Sequence, residues 1–228
     1  MFLPATALAQ APIAAPPAPP QIVTSANGEA RLPPDRANLL IGVQTRAATA
    51  AAAAKENNAR QTAVIAAIAA AGIPKEQIST ENYNVYAETR PDRTGQNPAV
   101  VAYVVTNVVR VELRRTEQVG PVIDAALAKG ANEVQGLEFF SSSTESGRRQ
   151  ALAEAIGKAR GDAEAMARAA GGKLGPLIEV STTDSGPRPL YRTNAMSRAA
   201  GAMPTPIEPG ELTLRVAVTA RWQFVPNP

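Results

Sequence analysis

The chain has no cysteine and no histidine. Without cysteine there is no disulfide, no thiolate nucleophile and no cysteine metal site. Without histidine the commonest general base and the commonest transition-metal ligand are both missing. A Ser-His-Asp triad is excluded within this chain. Aromatic residues make up only 4% of the 228 residues, so a core has to be built mainly from Ala, Val, Leu and Ile. Charge of one sign is also scarce. Lys and Arg outnumber Asp and Glu by 23 to 20, and a net +3 is too small an excess to point to nucleic acid. No run of about 18 apolar residues is available for a membrane helix.

What is present begins with an apolar N-terminus. Ala7-Leu8-Ala9 fits an A-x-A cleavage pattern, so residues 1–9 read as the remnant of a secretory signal peptide and the mature chain is expected to start at Gln10. The missing positive and apolar regions imply a start codon inside a longer leader. Residues 10–21 hold Pro16-Pro17-Ala18-Pro19-Pro20 and read as an extended spacer.

The folded part, 22–228, reads as one domain. Ile22 to Ala30 and Arg36 to Thr45 are predicted strands, and the short Pro33-Pro34-Asp35 turn predicts that they pair as a hairpin. Thr49 to Ala71 is a predicted helix with Val64, Ile68 and Ala71 on one stripe, stopped by Gly72. Ile78 to Ala87 is a strand of mixed pattern. In Tyr103 to Arg114, a core face of Tyr103, Val105, Asn107, Val109, Val111 and Leu113 alternates with a face expected to be mostly solvated. A second helix spans Thr116 to Lys129 and a strand Glu133 to Ser141. Ser142 and Glu145 form a capping-box pattern for a third helix, whose inner stripe is expected at Leu152, Ile156, Ala159, Ala163, Met166 and Ala170. Pro176 to Thr183 is a strand, 184–209 a mobile loop, and Glu211 to Val225 a long amphipathic strand.

The order β-β-α-β-β-α-β-α-β-β predicts an α+β fold, with long, mostly antiparallel strands and three amphipathic helices on one face. The doubly wound alternation of a nucleotide-binding fold is absent. Two strands, Tyr103 to Arg114 at roughly 40 Å by the usual rise and the longer Glu211 to Val225, exceed what one small domain covers. They motivate self-assembly.

Four stretches together resemble the SIMPL-domain family. They are Ala26-Asn27-Gly28-Glu29-Ala30 with Pro34-Asp35-Arg36-Ala37; Tyr103-Val104-Val105-Thr106-Asn107; Asp124-Ala125-Ala126-Leu127 with Gly130-Ala131-Asn132; and Arg149, Ala151-Leu152, Ala155, Lys158-Ala159-Arg160, Ala163 and Gly171. The resemblance covers about Ile22 to Val225. Asn27 stands where the family usually has a glycine or another small residue. The resemblance implies an envelope location, no cofactor, no established enzymatic activity and a large homo-oligomer. It carries over no catalytic, cofactor or metal residue.

Six residues stand out as structural or interaction candidates. Asn107 places an amide on an apolar strand face, where it must find partners or lose roughly 1–3 kcal/mol. It reads as an amide that pins register, with ligand binding as the alternative. Asp35 reads as a turn residue. Arg110 and Arg114 share one strand face, Arg215 and Arg221 another. If those strands paired, they would form a basic stripe suited to anionic lipid or the outer membrane, or simply a solvated face guarded against aggregation. Gly171-Gly172-Lys173-Leu174-Gly175 lacks P-loop spacing and reads as a helix stop. The function expected is a non-enzymatic periplasmic envelope protein that self-assembles, with a structural, interaction or stress role. A lipid- or client-binding stress module is the alternative. A hydrolase using Asp35, Asp124 or Glu138 is the least favoured, since no convincing carboxylate pair is visible.

Overall fold

A computed structural model describes residues 19–91, 99–189 and 207–228. The signal-peptide remnant, most of the spacer and the centre of the 184–209 loop lie outside the described residues. The elements are β1 (Gln21–Leu32), β2 (Arg36–Ala47), α1 (Ala50–Ala70), β3 (Ile78–Arg90), β4 (Ala99–Leu113), α2 (Val119–Leu127), β5 (Glu133–Phe140), α3 (Thr144–Ala169), β6 (Gly172–Pro189) and β7 (Leu212–Pro226). This is the α+β order expected. Each helix is followed by a left-handed glycine, Gly72 (φ 91°), Gly130 (φ 102°) or Gly171 (φ 76°), where a side chain would be strained.

The predicted hairpin does not form. β1 belongs to a three-stranded sheet of order β1-β7-β6, and β2 to a four-stranded sheet of order β3-β4-β2-β5. Two prolines carry no N–H with which to close a tight turn. The chain beyond them is held by β5 instead: Asp35 donates its N–H to the Phe140 carbonyl at 3.2 Å. The chain also divides into two compact units. One comprises residues 29–151 and 185–215, the other residues 1–28, 152–184 and 216–228.

In the first unit all three pairings of the four-stranded sheet are antiparallel. α1 and α2 pack on one face, where Leu39, Ile41, Val43, Val109, Val111 and Leu113 meet Val64, Ile68, Val119, Val122 and Ile123. Thr49 caps α1 by accepting the Ala52 N–H at 3.2 Å. Val64 and Ile68 are buried as expected, but Ala71 is exposed and Ile73 completes the stripe. The stripe also runs N-terminally through Asn57 and Gln61, both buried.

The second face of β4 departs from expectation. Val104, Thr106 and Val108 are buried there on an inner strand, and Thr106 accepts a bond from the Gln44 amide of β2 at 3.2 Å. β4 also outruns β2, whose register ends at the pair Ala47–Tyr103. Residues 99–102 therefore continue with β3 as a two-stranded ribbon.

In the second unit the contacts Ser25–Thr219 and Arg221–Gln21 run β1 and β7 in opposite directions. Part of α3 packs on this sheet, so the helices do not share one sheet. Ala159, Ala163 and Ala167 of its buried alanines pack against Ile22, Ala220 and Trp222. The predicted inner residues Ile156 and Met166 are exposed. An all-alanine stripe at four-residue spacing lets the helix approach closely, and the indole supplies the bulk. Thr24 donates to the Ala159 carbonyl at 2.9 Å and accepts the Trp222 indole N–H at 3.3 Å. β6 runs six residues past its expected end at Thr183.

Candidate interaction surface

The interior of the four-stranded sheet is fixed by amides, and these decide what its edge can offer. Asn57 is fully buried and donates through Nδ2 to two main-chain carbonyls, Val43 of β2 at 2.8 Å and Val105 of β4 at 3.1 Å. It fastens α1 to the two inner strands. That is the pinning role read for Asn107. Asn107 itself is only half-buried, and its Oδ1 has no partner among the described residues. Gln61, 3% exposed, likewise leaves both amide atoms unpartnered there. Asn57 and Gln61 escape a sequence reading because polar residues in an alanine-rich helix look like its solvated side.

Asn132 acts at the other flank. Its Oδ1 accepts the Gln44 N–H at 2.7 Å and its Nδ2 donates to the Gln44 carbonyl at 2.9 Å. One side chain thus completes the ladder where β5 has not begun. Its own N–H bonds the Gly42 carbonyl at 3.1 Å. These bonds turn the main chain of Gly42 and Gln44 toward β5. The alternate residues Val43 and Thr45 must then address their β4 partners Asn107 and Val105. On β4 the residues between, Val104, Thr106 and Val108, address β3, where they oppose Tyr86, Asn84 and Asn82. It follows that Tyr83, Val85 and Ala87 present their N–H and C=O groups at the outer edge of β3, which has no strand beyond it among the described residues.

That edge is apolar as well as unpaired. Tyr83, Val85 and Tyr86 are 49%, 41% and 46% exposed. Val100 and Val101 of the ribbon are exposed too. Such a strand is a template for another strand, and most proteins blunt it. Register shifts do so at each end, between Thr80 and Asn82 and between Glu88 and Thr89, leaving a regular segment from Asn82 to Glu88. The mixed pattern of this strand in the sequence has its cause here: neither face is buried, so nothing imposes alternation.

The candidate arginines form no common stripe. β4 and β7 lie in different sheets. Arg110 makes a two-pronged pair with Glu81, at 2.7 and 3.0 Å. That bond holds the Glu81 carboxyl below its ordinary range and raises the guanidinium. Arg46 donates a single bond through Nε to Glu88 at 2.6 Å, with the carboxyl again lowered. Arg215 meets Glu29 at 2.8 Å, and Arg221 meets Glu179 at 3.3 Å. With the Gln77 amide turned to satisfy both its atoms, Gln77 accepts from Arg114 at 3.3 Å and donates to the Glu112 carbonyl at 2.7 Å. Beside Arg110, Asn38, Leu40, Gly136, Leu137 and Glu138 line an open groove.

Asp35 is more than a turn residue. Its carboxylate accepts the Ser142 N–H at 2.7 Å and also the Ser142 hydroxyl. The hydroxyl bond, then the N–H bond, hold the Asp35 carboxyl below its ordinary value. The predicted capping box does not form, because the helix begins two residues after Ser142. α3 starts at Thr144, and Glu145 pairs with Arg149 instead. Among the described residues no three Asp or Glu side chains converge on a metal-binding geometry.

The comparisons with known proteins agree with one another. The profile of a family described as SIMPL, protein of unknown function (DUF541), matches residues 22–222. The 26 kDa periplasmic immunogenic protein of Brucella melitensis biotype 1 is 28% identical over 215 residues, covering 90% of this chain and 85% of its own length. The uncharacterized protein YggE of Escherichia coli (strain K12) is 29% identical over 177 residues, 76% of this chain and 70% of its own.

Proposed function

This chain belongs to the SIMPL family, and from that membership we propose a non-enzymatic protein of the periplasmic cell envelope that assembles with copies of itself. The observation that carries the reading is the outer edge of β3, where main chain that no strand pairs among the described residues coincides with the exposed Tyr83, Val85 and Tyr86. A soluble protein keeps such an edge when something pairs with it. The periplasmic location is supported by the name of the Brucella relative and by the A-x-A pattern at Ala7-Leu8-Ala9. Among the described residues no helix is long and apolar enough to cross a membrane. The non-enzymatic reading is supported by the lack of His and Cys and by carboxylates engaged in pairing: Glu81 and Glu88 with arginines, Asp35 with Ser142. The same pairing favours self-association over anionic lipid, because Arg46, Arg110, Arg215 and Arg221 are each already neutralised by a carboxylate.

Native mass spectrometry and light scattering of the purified chain at micromolar concentration test the assembly, with a defined multimer expected. A single-chain mass under both methods would sink it. Release of the protein by osmotic shock tests the location, and retention with the cytosolic fraction would count against it.

A further inference from the structure

Resting on the self-assembly reading, we infer that the partner of β3 is β3 of a second copy, antiparallel and related by a two-fold axis through Val85. Three features of the strand select this register.

The first is the parity of the hydrogen bonds. The outward main-chain groups belong to Tyr83, Val85 and Ala87. In an antiparallel pair, outward residues must face outward residues of the other strand. Centring the axis on Val85 sets Val85 against its own copy, Tyr83 against Ala87, and Ala87 against Tyr83. Every outward N–H and C=O of the regular segment is then matched. Centring it on Asn84 or Tyr86 leaves Ala87 or Tyr83 facing a residue at or beyond a register shift.

The second is the position of those shifts. They fall between Thr80 and Asn82 and between Glu88 and Thr89. The regular segment, Asn82 to Glu88, has Val85 at its midpoint. An isologous pairing requires the same patch on both copies, and a segment closed symmetrically at both ends supplies one.

The third is side-chain fit. On the α1-side face, Val85 meets Val85 between two pairs of one tyrosine and one alanine, a large residue over a small one. On the opposite face Asn84 meets Tyr86 and Asn82 meets Glu88. No like charges oppose each other, and Glu81 and Glu88 are already paired with Arg110 and Arg46. The two four-stranded sheets would join as one of order β5-β2-β4-β3-β3-β4-β2-β5, within the usual range of open sheets.

The absence of cysteine makes the test clean. Directly opposed residues in a hydrogen-bonded pair have Cα atoms about 5.5 Å apart, inside the disulfide range. Val85→Cys in the full chain is expected to give a covalent dimer under mild oxidation. Tyr83→Cys and Ala87→Cys should each fail alone and cross-link when mixed. Val85→Pro removes an N–H that points away from β4 and meets no strand among the described residues, so it should leave the circular dichroism spectrum unchanged and break the pairing. A multimer that persists in Val85→Pro, with no cross-link at Val85→Cys, overturns this interface and leaves self-assembly standing. A wild-type protein that is monomeric by mass overturns both. Cross-linking of Tyr83→Cys alone would also reject the register.

Discussion

The carboxylate of Asp35 takes two hydrogen bonds from Ser142, 107 residues further along the chain. It joins the entrance of β2 to the segment that precedes α3. The pair is exposed, so its worth lies in geometry and charge together. The folded-state pKa of Asp35 is lowered below 3.8. Its contribution is therefore complete above that value and fades as pH falls through the lower, folded one. Asp35→Asn is expected to be less stable than wild type near neutral pH, with the gap closing below pH 3.8. Denaturant midpoints at a series of pH values check this. A gap that stays constant into acid would show that charge is not the cause.

Asn57 should be the costliest polar position in α1. Asn57→Ala leaves the Val43 and Val105 carbonyls without that donor, a loss of about 1–3 kcal/mol. Asn57→Asp faces a carboxylate with two carbonyl oxygens in a buried site and should be worse. Urea unfolding measures both. Equal losses for the two would reject the donor role.

Gly42 is held by close packing, not by an unusual turn. A Cβ there would come within 2.5 Å of the Asn107 carbonyl oxygen and 2.9 Å of Val108 Cγ2. Gly42→Ala should cost about 1–3 kcal/mol through overpacking, read as a fall in the unfolding midpoint. A neutral result would mean that β2 and β4 separate easily at this point.

The pair of Arg110 and Glu81 should contribute little to stability despite its two short bonds. Both side chains are well exposed, so a double-mutant cycle with Arg110→Gln and Glu81→Gln is expected to give only a small coupling that shrinks in high salt. A larger, salt-insensitive coupling would place the pair in a buried setting, such as a subunit interface.

The α+β class and the element order were legible because hydrophobic period, proline and glycine act locally. Thr49, Gly72, Gly130 and Gly171 mark helix ends in the sequence as they do in the fold. Pairing was not legible. Nothing near Pro33-Pro34 reveals that β1 waits for β7, since strand partners are chosen by distant residues. The all-alanine stripe of α3 was misread because Ile156 and Met166 are more hydrophobic than alanine, yet a close approach to Trp222 selects small side chains. The candidate site fared similarly. Asp35 was recognised as a marked residue without its partner, the candidate arginines fall on strands of two different sheets, and the edge of β3 was hidden by the lack of a buried face.

The pairing of β1 with β7 has a temporal side. Ser25 meets Thr219 across 194 residues, and Leu32 packs with Leu212 and Leu214. A ribosome emits β1 well before β7. Until β7 appears, the first strand has no neighbour in its sheet among the described residues, while β2 to β5 already hold each other. Such long loop closure slows folding and leaves a strand open to capture. The four-stranded sheet is thus placed to form first, with the three-stranded one completed only once β7 has been made, and a chain lacking β7 would leave β1 without its neighbour in that sheet.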